Sequence, residues 1–388
     1  MKIRTGFWPT VRREVDRMAS RKMYLGMMVI IPVFIVLFFV SLLSPGLPLK
    51  VPVAVVDLDH SQISRQMTRS LGATELLDIR EDLESYSDAM TAVREGRIFG
   101  FILIPEKFQK NTIAGNSPSV EFYNNLTYFV PGTLTFKGFK TVTVTTAAGI
   151  VRTELVSLGL PENMTGAFIQ PMSTQQHPIG NPWMNYSIYL TPSFSLGGLA
   201  LMILLMSCFS ITMEIKNGTS PQWLATARNH IGVAVCGKLF PHFIVWSVVG
   251  QFYLAVMFGW EHFPCGNILA LCLGMELFIL ATQALGVLFC SIVPNPRMAL
   301  TLAALIGILS FSFLGFSFPV QSMYGAISIF SYIIPTRYMF LIYIFSGLDA
   351  FPLYYSRVYF AVLCAYPLVG ALLLPRLKKA CLNPVYVP

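Results

Sequence analysis

The segment RKMYLGMMVIIPVFIVLFFVSLLS, residues 21–44, decides the fold. Residues 24–44 hold no charged group, and about 20 apolar residues is the length an α-helix needs to cross a hydrocarbon core ~30 Å thick. Lys2, Arg4, Arg12, Arg13, Arg17, Arg21 and Lys22 stand just before it. Basic residues flanking a span mark its cytoplasmic side, so the amino terminus is expected in the cytoplasm. A cleavable signal peptide is the competing reading. The apolar run is too long for one and no A-x-A-like site follows, so the span is expected to be retained.

The rest of the composition agrees. Of 388 residues, 54% are hydrophobic and 12% charged, with a mean hydropathy of +0.62. A soluble globule of that size would lack the charges to coat its surface. The net charge of +8 does not point to nucleic acid, because the basic residues gather beside apolar spans. Further spans are predicted at 187–213, 232–258, 267–293, 298–317 and 355–375, giving six with 24–44. An even count returns the carboxyl terminus to the cytoplasm, where Arg376, Lys378 and Lys379 of the tail 376–388 agree with it.

One apolar run remains between the last two spans. It is broken by Pro335 and carries Thr336 and Arg337 at its middle. Irregular polar backbone at membrane depth is tolerated only where protein buries it or water reaches it. Residues 318–348 therefore read as a re-entrant pair of half-helices opening outward. A seventh full span would put the basic tail on the wrong side.

Residues 45–186 form the one large hydrophilic piece, with 11 basic and 13 acidic residues. VPVAVVD (51–57), IFGFILI (98–104) and SVEFYN (119–124) read as strands, and 60–71 and 84–95 as helices between them. That order predicts an extracytoplasmic α/β domain between spans one and two. The stretch 131–158 reads as a helix leading back towards the membrane. Residues 1–23 read as an amphipathic helix lying in the inner membrane interface, an elbow helix or a plain lipid anchor, with Phe7, Trp8, Val11, Val15 and Met18 on one face and Arg12, Arg13, Asp16 and Arg17 on the other.

Catalytic motifs are absent. No G-x-x-x-x-G-K-[ST] occurs, and Gly237-Lys238 is followed by Leu239, so the chain cannot cradle ATP phosphates itself. No H-E-x-x-H or G-x-S-x-G appears, and the seven cysteines and five histidines show no metal spacing.

Between spans two and three lies MEIKNGTSPQWLATARN, residues 213–229. Glu214, Gly218 and Thr219 form E-x-x-x-G-T and Gly237-Lys238 opens the third span; then come Gly286-Val-Leu-Phe-Cys-Ser, Gly315-Phe-Ser-Phe-Pro and Pro335-Thr-Arg-Tyr. In order and spacing these resemble the permease subunit of type-2 ABC exporters. VPVAVVDLDHSQISR and REGRIFGFILIPEKF resemble the periplasmic domain of the drug-efflux-like branch. The chain departs from the pattern at Ile215 and Ala227, where the family often has a charged residue and a Pro.

The resemblance implies a bacterial inner-membrane protein with two copies of a separate ABC ATPase carrying ATP and Mg. It also implies a second permease copy or paralogue and, for this branch, a periplasmic adaptor with an outer-membrane channel; no cofactor and no nucleic acid are expected on this chain. Loop 214–231 becomes the coupling loop, with Glu214, Gly218, Thr219, Trp223 and Leu224 as its site residues. Ser220 and Pro221 read as N-cap and first turn of a short helix displaying Trp223 and Leu224 as an apolar knob. A tryptophan in the headgroup belt is the plainer reading. Spans two and five, through Phe194, Met202, Met206, Phe311, Phe313 and Phe316, become the candidate path for hydrophobic or amphipathic substrates, although core packing explains such residues equally well. Glu276, with Gln283 two turns on, is an ionisable group at membrane depth: a structural hydrogen-bond tie, or the centre of an ion-coupled secondary transporter. A polytopic membrane enzyme is the third class, for which no catalytic constellation assembles.

Overall fold

The computed structural model describes residues 5–170, 177, 180–182 and 184–383. Lys2 and Arg4 of the basic cluster, the stretches 171–176 and 178–179, residue 183, and residues 384–388 of the tail lie outside the described residues. The chain divides into two compact units, Met1–Gly46 with Pro178–Pro388, and Leu47–His177.

The first unit opens with α1, Phe7–Ser20, followed by α2, Lys22–Leu43. The second unit follows the order β1 (Val51–Asp57), α3 (Gln62–Gly72), β2 (Leu77–Asp82), α4 (Tyr86–Arg94), β3 (Gly100–Ile104), α5 (Phe108–Ile113), β4 (Glu121–Asn124), α6 (Phe129–Ser157) and α7 (Glu162–Ile169). Its sheet has the order β2-β1-β3-β4; β1 runs parallel to β2 and β3, and β4 antiparallel to β3. The apolar run of β1 is central and covered on both faces, as parallel strands are. Val53 and Val55 pack with Met67, Leu71 and Phe139, while Ala54 and Val56 pack with Ala89, Ala92 and Phe101. Ser61 and Ser85 cap α3 and α4 by accepting from the Ser64 and Asp88 amides.

Strand β2 was not foreseen. LDIRED buries only Leu77, and its charges suit an edge strand, which polar side chains protect from further pairing. The third expected strand, 119–124, shortens to β4. Helix α6 is a single 29-residue helix whose buried residues end at Val142.

The first unit resumes with α8 (Tyr186–Lys216), α9 (Ser220–Thr226), α10 (Ile231–Trp260), α11 (Ile268–Ile292), α12 (Pro296–Ser312), α13 (Gly325–Ile333), α14 (Pro335–Leu348), α15 (Leu353–Leu372) and α16 (Leu374–Leu382). Five helices, α2, α8, α10, α11 and α15, are each long and apolar enough to cross a membrane. The pair α13–α14, bent by 77°, makes a sixth if taken as one span. These helices make the chain a polytopic integral membrane protein. The break follows from Pro335, which cannot donate to a preceding turn and drives Ile334 to an extended φ of −98° and ψ of 119°. The fifth expected span, 298–317, is a shorter helix. Turns and bends at 313–318 end α12 at Ser312, and its 17 residues rise only about 25 Å.

The weight that α6 carries in the second unit can be measured. Phe139 is fully buried and its ring stacks on Phe122 of β4 at 5.8 Å. Phe139→Ala should destabilise that unit by about 3–5 kcal/mol, read as earlier protease cleavage within 47–177 on heating while the apolar helices stay intact.

Candidate functional site

Glu214 lies in the last turn of α8, where the helix dipole disfavours an anion, and it is fully buried. Three cations answer it. Arg13 donates from both terminal nitrogens to the two carboxylate oxygens, at 2.8 and 2.9 Å, a bidentate fork. Arg17 comes within 2.6 Å of Oε1 as an ion pair without hydrogen-bond alignment. Lys238 Nζ lies 3.0 Å from the same oxygen, and the Thr219 hydroxyl donates to Oε2.

Lys238 also reaches a second carboxylate. Its Nζ is 2.5 Å from Glu14 Oε2, and His242 Nε2 is 3.0 Å from Glu14 Oε1. Burial alone would raise the Glu14 carboxyl; the charges of Lys238 and His242 outweigh it and hold the group below its ordinary value of 4.5. The stability this adds is present above the unfolded-state value and is lost as pH falls through the lowered one.

The sequence builds this cluster locally. Thr10, Glu14 and Arg17 recur at spacings of four and three, so they share a face of α1. That face meets α10 closely, because a Cβ at Gly237 would come within 2.9 Å of the Thr10 side chain. Gly237 thus lets α1 approach until Lys238 meets Glu14. On α1 the protein-facing side is polar, carrying Thr10, Glu14, Arg13 and Arg17, whereas Trp8 and Val15 are exposed. The apolar face is divided: Phe7 packs on Phe240 of α10 and Met18 on the bundle core.

The loop expectation needs correcting. Trp223 and Leu224 are fully buried, not displayed. The indole donates to the Ala234 carbonyl at 3.2 Å, and Lys238 Nζ lies 5.2 Å from its ring centroid. The cap is Thr219, not Ser220, whose hydroxyl donates to the Cys381 carbonyl of α16 at 2.8 Å. The exposed residues of the segment are Lys216, Asn217, Gly218, Pro221, Gln222, Ala225, Arg228, Asn229 and His230. The Gly6 amide donates to the Thr226 carbonyl at 2.7 Å. The elbow helix, the loop and the carboxy-terminal helix therefore meet at one end of the first unit.

Elsewhere the sequence candidates divide. Phe194, Phe311 and Phe316 form one aromatic group, with centroids 5.1 to 6.1 Å apart. Phe313 pairs with Phe330 instead, at 6.2 Å. Met202 and Met206 are buried in the bundle core. Glu276 accepts from Ser247 at 2.5 Å and Gln251 at 2.7 Å, and Gln283 donates to the Leu239 carbonyl at 3.4 Å. Both residues tie α11 to α10. Gln283 also borders an apolar groove of about 450 Å³ with Phe7, Leu239, Phe243 and Leu374.

Sequence reasoning missed Glu14, Arg13, Arg17, Lys238 and His242 as a site. The available signal was a lysine inside an otherwise apolar span, costly unless paired.

A bundle of membrane-length helices with a loop clamped by buried charges defines a polytopic membrane protein. The chain matches the family model of the ABC-2 family transporter proteins over residues 22–374 and belongs to that family. No curated protein matches it. Membership makes it the permease of an ABC transporter, which implies partnership with an ABC ATPase subunit.

Lys238→Met should leave two buried carboxylates short of a cation and lower thermal stability in neutral detergent by about 3–5 kcal/mol. Adding Glu14→Gln should recover a large part of it. A single variant as stable as the parent would mean that the cluster holds nothing together.

Proposed function

We propose that this permease works as a dimer with two copies of a separate ATPase, which bind ATP and Mg, and exports hydrophobic or amphipathic molecules from the cytoplasm or the inner leaflet. The observation that carries the reading is the buried charge cluster, which joins α1, the end of α8 and the start of α10 beside loop 214–231. A push on that loop then moves the two long helices together.

The exposed loop face, Gln222, Ala225, Arg228 and His230, is the surface for the ATPase, with Trp223 and Leu224 as its internal support and Glu214, Gly218 and Thr219 shaping the turn. Basic flanks and the meeting of α1 and α16 beside this loop support cytoplasmic termini in an inner membrane. The α/β unit then lies in the periplasm, within reach of an adaptor and an outer-membrane channel, and α13–α14 form a re-entrant segment. The half-exposed Phe194, Phe311 and Phe316 remain the best path residues; Met202 and Met206 support them from the core. The chain itself carries no Walker motif and acts as the passive partner in hydrolysis. The two donors on Glu276 support a structural tie over an ion-coupling role.

Two measurements test this reading. In a cysteine-free background, Asn116→Cys should label from outside and Asn217→Cys only after permeabilisation; labelling of both from one side would contradict the topology. In proteoliposomes with the co-purified ATPase, transport of an amphipathic dye should require ATP, and Arg228→Glu should cut ATPase association about tenfold or more, as loss of a hot-spot contact does. Transport driven by a proton gradient without ATP would overturn the exporter reading.

A further inference from the structure

Arg337 is the buried cation that the cluster does not use. It stands in the first turn of α14 and is only 8% exposed. Its Nη1 donates to the Leu314 carbonyl at 3.1 Å, and its guanidinium carbon lies 5.3 Å from the centroid of Tyr332. These contacts use one of the group's five donors and set a ring face against the charge. Nε is buried without a hydrogen-bond partner, and so is the hydroxyl of the adjacent, fully buried Thr336. Among the described residues, no carboxylate forms an ion pair with Arg337.

This arrangement is costly as it stands. An arginine does not shed its proton in proteins, and a charge at membrane depth needs a partner. Glu14 and Glu214 cannot serve, since Arg13, Arg17, Lys238 and His242 already hold them. The chain makes room for the guanidinium at Gly315, where a Cβ would come within 2.9 Å of Nη1. The next residue, Phe316, begins a run of rings. Its centroid lies 6.1 Å from Phe311, which lies 5.1 Å from Phe194, which stacks on Phe39 at 4.7 Å. Phe316 is also 6.3 Å from Phe340, one turn beyond Arg337 on α14. A cation with unused donors thus stands at one end of an apolar, aromatic track.

We propose that Arg337 and Thr336 form an oxyanion site for the phosphate or carboxylate head of an amphiphile whose apolar chain lies along Phe316, Phe311 and Phe194. The guanidinium fork matches the paired oxygens of either head, the Thr336 hydroxyl supplies a further donor, and the amino-terminal end of α14 favours negative charge. This rests on the export reading and deepens it, since it makes the cargo an anionic amphiphile. The plainer alternative is that Arg337 only caps the chain after α12 through Leu314, with water on its other donors; that role has no ligand dependence.

The test uses the full-length permease alone, in a neutral maltoside detergent, with labelled dodecyl phosphate in equilibrium dialysis. Wild type should bind it saturably, Arg337→Gln should weaken binding tenfold or more, and Thr336→Val several-fold. Dodecanol, with the same chain and no charge, should bind all three alike. Inorganic phosphate at the same concentration should not displace dodecyl phosphate; displacement would assign the site to a free anion and overturn the amphiphile. Should Arg337→Gln fail to run as a single species on gel filtration, Arg337→Lys, which keeps the charge but not the fork, takes its place. Unchanged dodecyl phosphate affinity in Thr336→Val and in whichever Arg337 variant folds overturns the proposal. Because no ATPase is present, that failure leaves ATP-driven export standing, and loss of ATP dependence would equally leave the oxyanion site standing.

Discussion

Two buried carboxylates, Glu14 and Glu214, share one buried ammonium, that of Lys238. At 4 Å a pair of unit charges attracts by about 4 kcal/mol at an effective dielectric constant near 20, and removing three charged groups from water costs several kcal/mol for each. The balance is close, so the cluster contributes less to total stability than its number of contacts suggests. Its stronger effect is to select one arrangement. A slip of α1 by one residue along α10 would separate Lys238 from Glu14 and strand a charge, which is far less favourable than the docked state. The bidentate grip of Arg13 on Glu214, with Arg17 paired to one oxygen, fixes the same register from the other side.

That register has a mechanical consequence on the export reading. Loop 214–231 is not a flexible connector, because Trp223 and Leu224 lie in the core, the Ser220 hydroxyl is tied to α16 and the Gly6 amide to Thr226. A close-packed interior transmits displacement and does not absorb it. Force on the exposed loop face passes through Trp223 to α10 and through Glu214 to α8, the most buried of the long helices. The ties of Glu276 and Gln283 carry it on from α10 to α11. At the far end of this chain of contacts, the aromatic group of Phe194, Phe311 and Phe316 is positioned by the same α8 and by α12 with the turn that follows it.

How much was legible in the sequence follows from the range of each interaction. The long apolar helices were readable because a span is a local property, some twenty apolar residues in a row. The break at Pro335 was readable because proline acts on its immediate neighbours. Strand β2 was not, since LDIRED has no apolar run and its alternation stops after Leu77 and Ile79; pairing with β1 makes it a strand. The pairing within the charge cluster was out of reach for a different reason: Lys238 in an apolar span signals the need for a partner, but Glu14 lies 224 residues away and nothing local marks it as that partner. Trp223 misled because an aromatic residue in a polar loop suggests an exposed anchor, while the pocket it fills belongs to the same chain.

The most direct measurement of the central claim is the distance between α1 and the loop helix during turnover. Spin labels at Val15 and Gln222, both exposed, can be followed by double electron–electron resonance in the permease–ATPase complex, without nucleotide and with ATP trapped. A rigid unit clamped by Glu14, Glu214 and Lys238 predicts one narrow distance distribution, the same in both states. A broad distribution, or a separation that changes when ATP binds, would contradict it.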